Sequence, residues 1–306
     1  MAKVQKFIGC SVKQLPEEDQ VEAALAAASI NPVNQPVMSA AMNFLPDDLV
    51  EGVMAQIDTP QFLAALTTKY WGSKGVRLGV SFLDNPKQDL IDRIISHANA
   101  WRTEANANVS FSWSKSQGEV RVSFGPGGYW SYLGTDIRRV STSQNTMNLE
   151  GFTMKTPESE FVRVVRHEFG HTMGFPHEHM RAGIIAKLDR KKVIDYFKRY
   201  QKWSETTTVS QVLTPVNEKS VMGSPESDED SIMCYMLPGS ITKDGNPVRG
   251  GLNFSATDKK YAAKIYPMEV KPSDSALSSL PLKFDLMKKV VFLPKGWAAQ
   301  YGEPEE

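Results

Sequence analysis

Four of the five histidines in this chain fall within HEFGHTMGFPHEHMR, residues 167–181, in company with two glutamates. His167 and His171 are four residues apart. On a helix that spacing puts both side chains on one face with β-carbons about 5–6 Å apart, so both imidazoles can converge on one ion. Glu168 sits beside the first histidine at the edge of that face, where it can reach a metal-activated water without being a ligand. Gly174 follows His171 by three residues. Glycine takes a positive φ at little cost, so the helix can end there and the chain turn back. Such a turn brings His177 to the same ion as a third nitrogen. Three nitrogen ligands with one position left for water is the arrangement of catalytic rather than structural zinc. His179 is assigned no ligand role, and His97, on an expected helix, is read as structural.

Periodicity outlines the elements that hold these residues. Phe161, Val164, Val165, Phe169 and Met173 recur at helical spacing, which predicts a buried amphipathic helix over 158–173. Upstream, Val76, Leu78, Val80 and Phe82 alternate as in a strand. The sets Val109, Phe111, Trp113 and Val120, Val122, Phe124 do the same, and 129–133 is a further candidate strand after a glycine-rich turn. Asn85-Pro86-Lys87-Gln88 reads as an N-cap, a first-turn proline and a capping glutamine for a helix through Leu90, Ile94 and Trp101. Residues 11–68 read as helical. Pro16-Glu17-Glu18-Asp19 suits the positive end of a helix dipole and Asn31-Pro32 is a stop. Two further helices are expected at 47–57 and 60–66. After the histidines come a basic helical stretch (188–203), an acidic run (225–230) read as a solvated loop, and a tail with one expected strand at 289–293. Strands and helices segregated in this way predict a sheet backed by helices.

Composition narrows the partners. Lysine plus arginine equals aspartate plus glutamate at 35 each, so no net field draws the protein to nucleic acid or to an anionic membrane. No apolar run approaches the roughly 20 residues that span a bilayer, so membrane insertion is not expected. The apolar stretch at 7–12 is too short for a signal-peptide core, and no signal peptide is evident. The expectation is a chain that is cytoplasmic as synthesised, with unconventional secretion as its other route. Two cysteines, Cys10 and Cys234, do not make a disulfide framework.

The full pattern, His167, Glu168, His171, Gly174 and His177, resembles the zinc signature of the metzincin metallopeptidases. Ser231-Ile232-Met233-Cys234-Tyr235 resembles the Met-turn of their astacin branch. Phe175, Glu178 and Arg181 match that branch as well, as do Ser131-Tyr132-Leu133-Gly134, Phe254 to Asp258, and Ile265-Tyr266. The resemblance runs over 69–267. Within it, Cys234 replaces the usual histidine of the Met-turn, the usual disulfide cysteines are absent, and the usual D-R-D continuation after Arg181 is missing.

The resemblance implies an α+β, zincin-like catalytic domain at 69–267: a twisted mixed sheet backed by helices, an active-site helix and an irregular C-terminal subdomain. A helical N-terminal extension (1–68), in a pro-region or regulatory role, precedes it and a tail (268–306) follows. It implies one catalytic zinc ion on His167, His171 and His177, with Tyr235 as a weaker ligand. Glu168 is then the general base for a metal-activated water, Tyr235 also serves the oxyanion, and Met233 is an apolar floor. The substrate is a peptide or protein lying as a strand beside 129–133. Phe7-Ile8-Gly9-Cys10 resembles the FxGD segment of astacin propeptides, in which the aspartate blocks the zinc. Cys10 is therefore a candidate inhibitory ligand, against the plainer reading of a small cysteine without a role. Two rival functions stand beside the endopeptidase: a zinc-binding interaction protein without turnover, and a zinc hydrolase of non-peptide amides.

Overall fold

The computed structural model describes residues 10–34, 68–215 and 226–268. The helices expected at 47–57 and 60–66, the strand expected at 289–293, residues 7–9 and all of the tail but Met268 lie outside the described residues.

The sheet has six strands: β1 Cys10–Lys13, β2 Val76–Phe82, β3 Val109–Trp113, β4 Val120–Ser123, β5 Tyr129–Tyr132 and β6 Met147–Leu149. Their spatial order is β1-β5-β6-β4-β2-β3. β3, β2, β4 and β6 run parallel to one another, β5 is antiparallel to β6, and β1 is parallel to β5. The alternation read in β2, β3 and β4 is the strand pleat, with Val80, Val109, Phe111, Val120 and Val122 buried.

Two strands depart from the sequence reading. β6 is three residues long and buried at every one, so it offers no alternation to detect. β1 corrects the helical reading at its start: within the described part of 11–68 the α-helix is α1, Glu17–Ile30, and residues 10–13 are extended. Their strand conformation comes from pairing with β5, more than 100 residues away, which no local propensity reports.

Helix α2, Gln88–Ala98, begins later than expected. Its N-cap is Lys87, and Asn85 sits at φ 47°, the left-handed region that asparagine tolerates, so Asn85 is a turn residue and not a cap. The short helix α3, Ala100–Thr103, carries Trp101. The helix expected over 158–173 is a single turn (Glu158–Glu160), a π-helical turn (Phe161–Val165) and then α4, Arg166–Thr172. Beyond it lie α5, Arg190–Gln201, and the closing helix α6, Ala256–Ile265.

One apolar cluster packs the sheet against α2, α3 and α4 and reaches Ile232, Met233, Ile265 and Tyr266. A second gathers Ile184, Leu188, Val193, Phe197, Val212, Leu237, Ile241 and Val248, and it also holds Cys10 and Tyr235. The histidines lie between the two.

Candidate metal centre

Helix α4 presents His167 and His171 side by side, ring centroids 4.7 Å apart. Its end is set by Gly174, at φ 97°, a value that favours glycine. A β-carbon there would also approach the Lys69 carbonyl oxygen to 2.9 Å. The Gly174 N–H caps the His171 carbonyl and the Phe175 N–H the Gly170 carbonyl, and the chain then doubles back. That return puts His177 Nε2 3.0 Å from His171 Nε2. Cys10 Sγ, arriving on β1, lies 3.4 Å from each of those nitrogens. One ligand atom from each of Cys10, His167, His171 and His177 falls within 4.8 Å of the others, and all four residues are buried.

The tautomers follow from the partners. His167 Nδ1 lies 2.6 Å from the Ile232 carbonyl oxygen, and His171 Nδ1 lies 2.8 Å from that of Phe175. A carbonyl only accepts, so each Nδ1 carries the proton and each Nε2 is left with a bare lone pair. Burial lowers the pKa of His167 to about 4 and holds His171 and His177 well below the usual value, so all three are neutral at pH 7. His167 Nε2 is buried with no hydrogen-bond partner. Lone pairs aimed at one point in a dry pocket repel unless a cation sits among them. A tetrahedral zinc with Zn–N of about 2.0–2.1 Å and Zn–S of about 2.3 Å sets its ligand atoms roughly 3.3–3.6 Å apart. That is close to the 3.0 and 3.4 Å among Cys10, His171 and His177, with the His167 nitrogen within 4.8 Å of them. The carbonyl partners at Nδ1 are those that orient ligating histidines. The donor set fits zinc.

Burial, and then the Glu168 carboxylate, push the Cys10 thiol up. A cation among the imidazoles reverses that, since coordination deprotonates a thiol. Glu168 is itself buried, and neither of its oxygens has a hydrogen-bond partner at normal geometry. Burial pushes its pKa up to about 8; the nearby Cys10 thiol and Arg163 offset this only in part.

The Tyr235 hydroxyl donates to the Cys10 carbonyl. Its ring lies 4.5 Å from the ring of His177 and is stacked at 3.9 Å on His179. Met233 packs beneath α4, and its carbonyl accepts the Glu178 N–H at 2.9 Å. Asp258, in the first turn of α6, accepts from Ser231 Oγ (2.6 Å) and from the Ile232 N–H (2.8 Å), which fixes the turn that carries Met233.

Other sequence candidates are placed elsewhere. His179 bonds the Gln211 carbonyl at 3.0 Å, and His97 pairs with Glu158 at 3.3 Å. Cys234 turns its sulfur to the Tyr235 carbonyl. Glu178 accepts the Asp228 N–H, faces Arg181 at 3.6 Å, and is raised by burial to about 7. The acidic run is not a simple solvated loop: Glu229 pairs with Lys187 and Asp230 with Arg249, while Asp228 accepts from Ser255. The edge at 129–133, expected to take a substrate strand, carries β1, with Cys10 opposite Tyr129 and Lys13 opposite Tyr132. Sequence reasoning missed the Ile232 and Phe175 carbonyls, which no side chain announces, and Gln211, whose type signals no chemistry.

No protein-family model and no curated protein matches the sequence. Solved structures do. A structure of myroilysin is 30% identical and aligns with a TM-score of 0.61 over 66% of this chain and 97% of that one. A second structure, a crystal structure of myroilysin, is 29% identical with a TM-score of 0.51, over 65% and 86%. High choriolytic enzyme 1, a hatching enzyme zinc-protease from Oryzias latipes (medaka fish), is 15% identical with a TM-score of 0.42, over 62% and 88%.

Proposed function

The chain belongs to the astacin family of zinc metalloproteases, and from that premise we propose that it is an endopeptidase with one zinc ion on His167, His171 and His177. The observation that carries this reading is the convergence of three neutral imidazoles beside the buried Glu168 carboxyl group. Zinc, when bound, supplies a Lewis acid that polarises the scissile carbonyl and acidifies water.

The rest is done by the chain. Glu168, buried beside the imidazoles, takes the proton of the attacking water and passes it to the leaving amine. Tyr235 already donates a hydrogen bond to a peptide carbonyl, that of Cys10, and in turnover it donates to the scissile carbonyl as that oxygen gains charge. When no carbonyl claims its hydroxyl, Tyr235 is the weaker fourth ligand. Met233 takes no part in proton transfer and supports the ligand helix from below.

The N-terminal segment is read as a latency device. Cys10 Sγ supplies the fourth ligand atom, the Cys10 carbonyl occupies the Tyr235 hydroxyl, and β1 covers the edge of β5. All three have to be vacated before a peptide can bind.

Glu168→Ala, made in a Cys10→Ala background, is expected to retain one zinc per chain and to lose about 10²–10⁴-fold in cleavage of a peptide library. Chelation of the parent is expected to abolish cleavage. Unchanged turnover in Glu168→Ala rules out the mechanism. A zinc-loaded form beginning near Lys69, freed of the N-terminal segment, that cleaves no peptide points to the interaction protein or, if it hydrolyses simple amides, to the non-peptide hydrolase.

A further inference from the structure

Both main-chain groups of Val12, two residues past Cys10, go to a side chain instead of a strand. The Val12 N–H donates to Gln211 Oε1 at 3.1 Å, and Gln211 Nε2 donates to the Val12 carbonyl at 3.2 Å. A carboxamide with one acceptor and one donor thus stands in for a neighbouring strand. The Cys10 carbonyl turns to the Tyr235 hydroxyl. Residues two apart on a strand direct their main chain to the same side, so Tyr235 and Gln211 line one side of the N-terminal segment while β5 lines the other.

The two groups are connected. Gln211 lies on a π-helical turn, Val209–Leu213, a distortion that recurs at functional sites. Its own carbonyl accepts from His179, whose ring stacks on Tyr235. A contact to the main chain is indifferent to side-chain identity, so any extended peptide lying along β5 offers Gln211 the same N–H and C=O. The carboxamide also exchanges its oxygen and nitrogen by rotation, so it serves a chain running in either direction along β5.

We propose that Gln211 is a substrate-binding residue, a carboxamide clamp on the peptide backbone two residues from the residue presented to Tyr235. The N-terminal segment occupies the same clamp. The inference rests on the peptidase reading above and deepens it by assigning a subsite.

The test uses zinc-loaded protein both as the full-length Cys10→Ala chain, in which Val12 still fills the clamp, and as a form beginning near Lys69 that lacks the segment. The outcomes are read on the latter. A cleavable peptide is compared with a ladder of analogues, each N-methylated at one backbone amide. Gln211→Leu is expected to raise KM about tenfold with kcat little changed, the size expected for two partly exposed hydrogen bonds. One N-methyl position, two residues from the scissile residue, costs the parent about tenfold and costs Gln211→Leu nothing further. Equal penalties in both proteins overturn the clamp, as does an unchanged KM. Gln211→Ala gives the same readouts should the leucine variant fold poorly.

Dissociation constants of the same ladder, taken on Glu168→Ala protein, read the clamp without turnover. Position-specific coupling in binding, with no cleavage by the parent, overturns the peptidase reading and keeps the clamp. Cleavage without coupling does the reverse. Absence of binding by any peptide overturns both.

Discussion

A β-carbon at Gly170 would lie 2.5 Å from the Met233 sulfur and 2.9 Å from the Trp101 ring. The Trp101 ring is the fixed neighbour, and the Met233 thioether is the flexible end of a side chain whose backbone alone is held. The Trp101 indole donates to the Arg166 carbonyl at 2.8 Å, and the Met233 N–H is held by Ser231 Oγ at 3.1 Å. Glycine inside a helix ordinarily costs about 1 kcal/mol against alanine. Here the close approach of the Met233 turn to α4 outweighs that, because overpacking a filled core costs about 1–3 kcal/mol and these contacts are among the shortest possible. Gly170→Ala is therefore expected to lower stability by about 1–2 kcal/mol net. It should also weaken zinc binding, since relief of the clash displaces α4 and with it His167 and His171. Thermal unfolding and a zinc competition titration measure the two effects, and an unchanged or raised Tm contradicts the packing argument.

Helix α6 couples its own start to the metal site. Ser255 and Asp258 form a reciprocal capping box, and the same Asp258 carboxylate receives Ser231 Oγ and the Ile232 N–H. The Ile232 carbonyl in turn sets the tautomer of His167. Asp258→Ala removes a cap worth about 1 kcal/mol and leaves donors of the turn unpaired at about 1–3 kcal/mol. The expected result is a loss of about 2–4 kcal/mol in denaturant unfolding together with a weaker zinc affinity. Asp258→Asn, which keeps an acceptor oxygen, should fall between. Zinc affinity unchanged in both variants separates the cap from the site. Spacing within α4 is local, so His167, His171, Gly174 and His177 could be picked out from the sequence alone, as could the alternation of β2, β3 and β4. Three kinds of feature could not. The extended conformation of residues 10–13 depends on a distant partner strand. β6 is too short for a period. Gln211 falls between Arg181 and Ser231, where the family pattern lapses and an ordinary carboxamide carries no signature.

Across the whole molecule, the N-terminal segment is held at several places besides Cys10. Leu15 and Ala23 pack on Val140, and Glu22 pairs with Arg139. The Asn34 carboxamide bonds both the N–H and the carbonyl of Tyr70, and Asn31 bonds the Trp71 carbonyl. The Lys69–Trp71 stretch is itself pinned to the back of the site, where Lys69 accepts the Thr135 N–H at 3.0 Å and the Trp71 indole donates to the last residue of α4, Thr172, at 2.8 Å. The sulfur of Cys10 is thus one of several contacts, and its loss alone leaves β1 beside β5 and in the grip of Gln211. If these contacts enforce latency, three zinc-loaded forms rank in peptidase activity: the intact chain lowest, Cys10→Ala intermediate, and a form beginning near Lys69 highest. The intermediate rank is the informative one, because it separates occupation of the fourth ligand position from coverage of the strand edge. Zinc stoichiometry and thermal unfolding, measured on each form, guard against a site lost by misfolding. Equal activity in all three removes the latency reading, and a Cys10→Ala variant as active as the shortened form assigns it to the thiol alone.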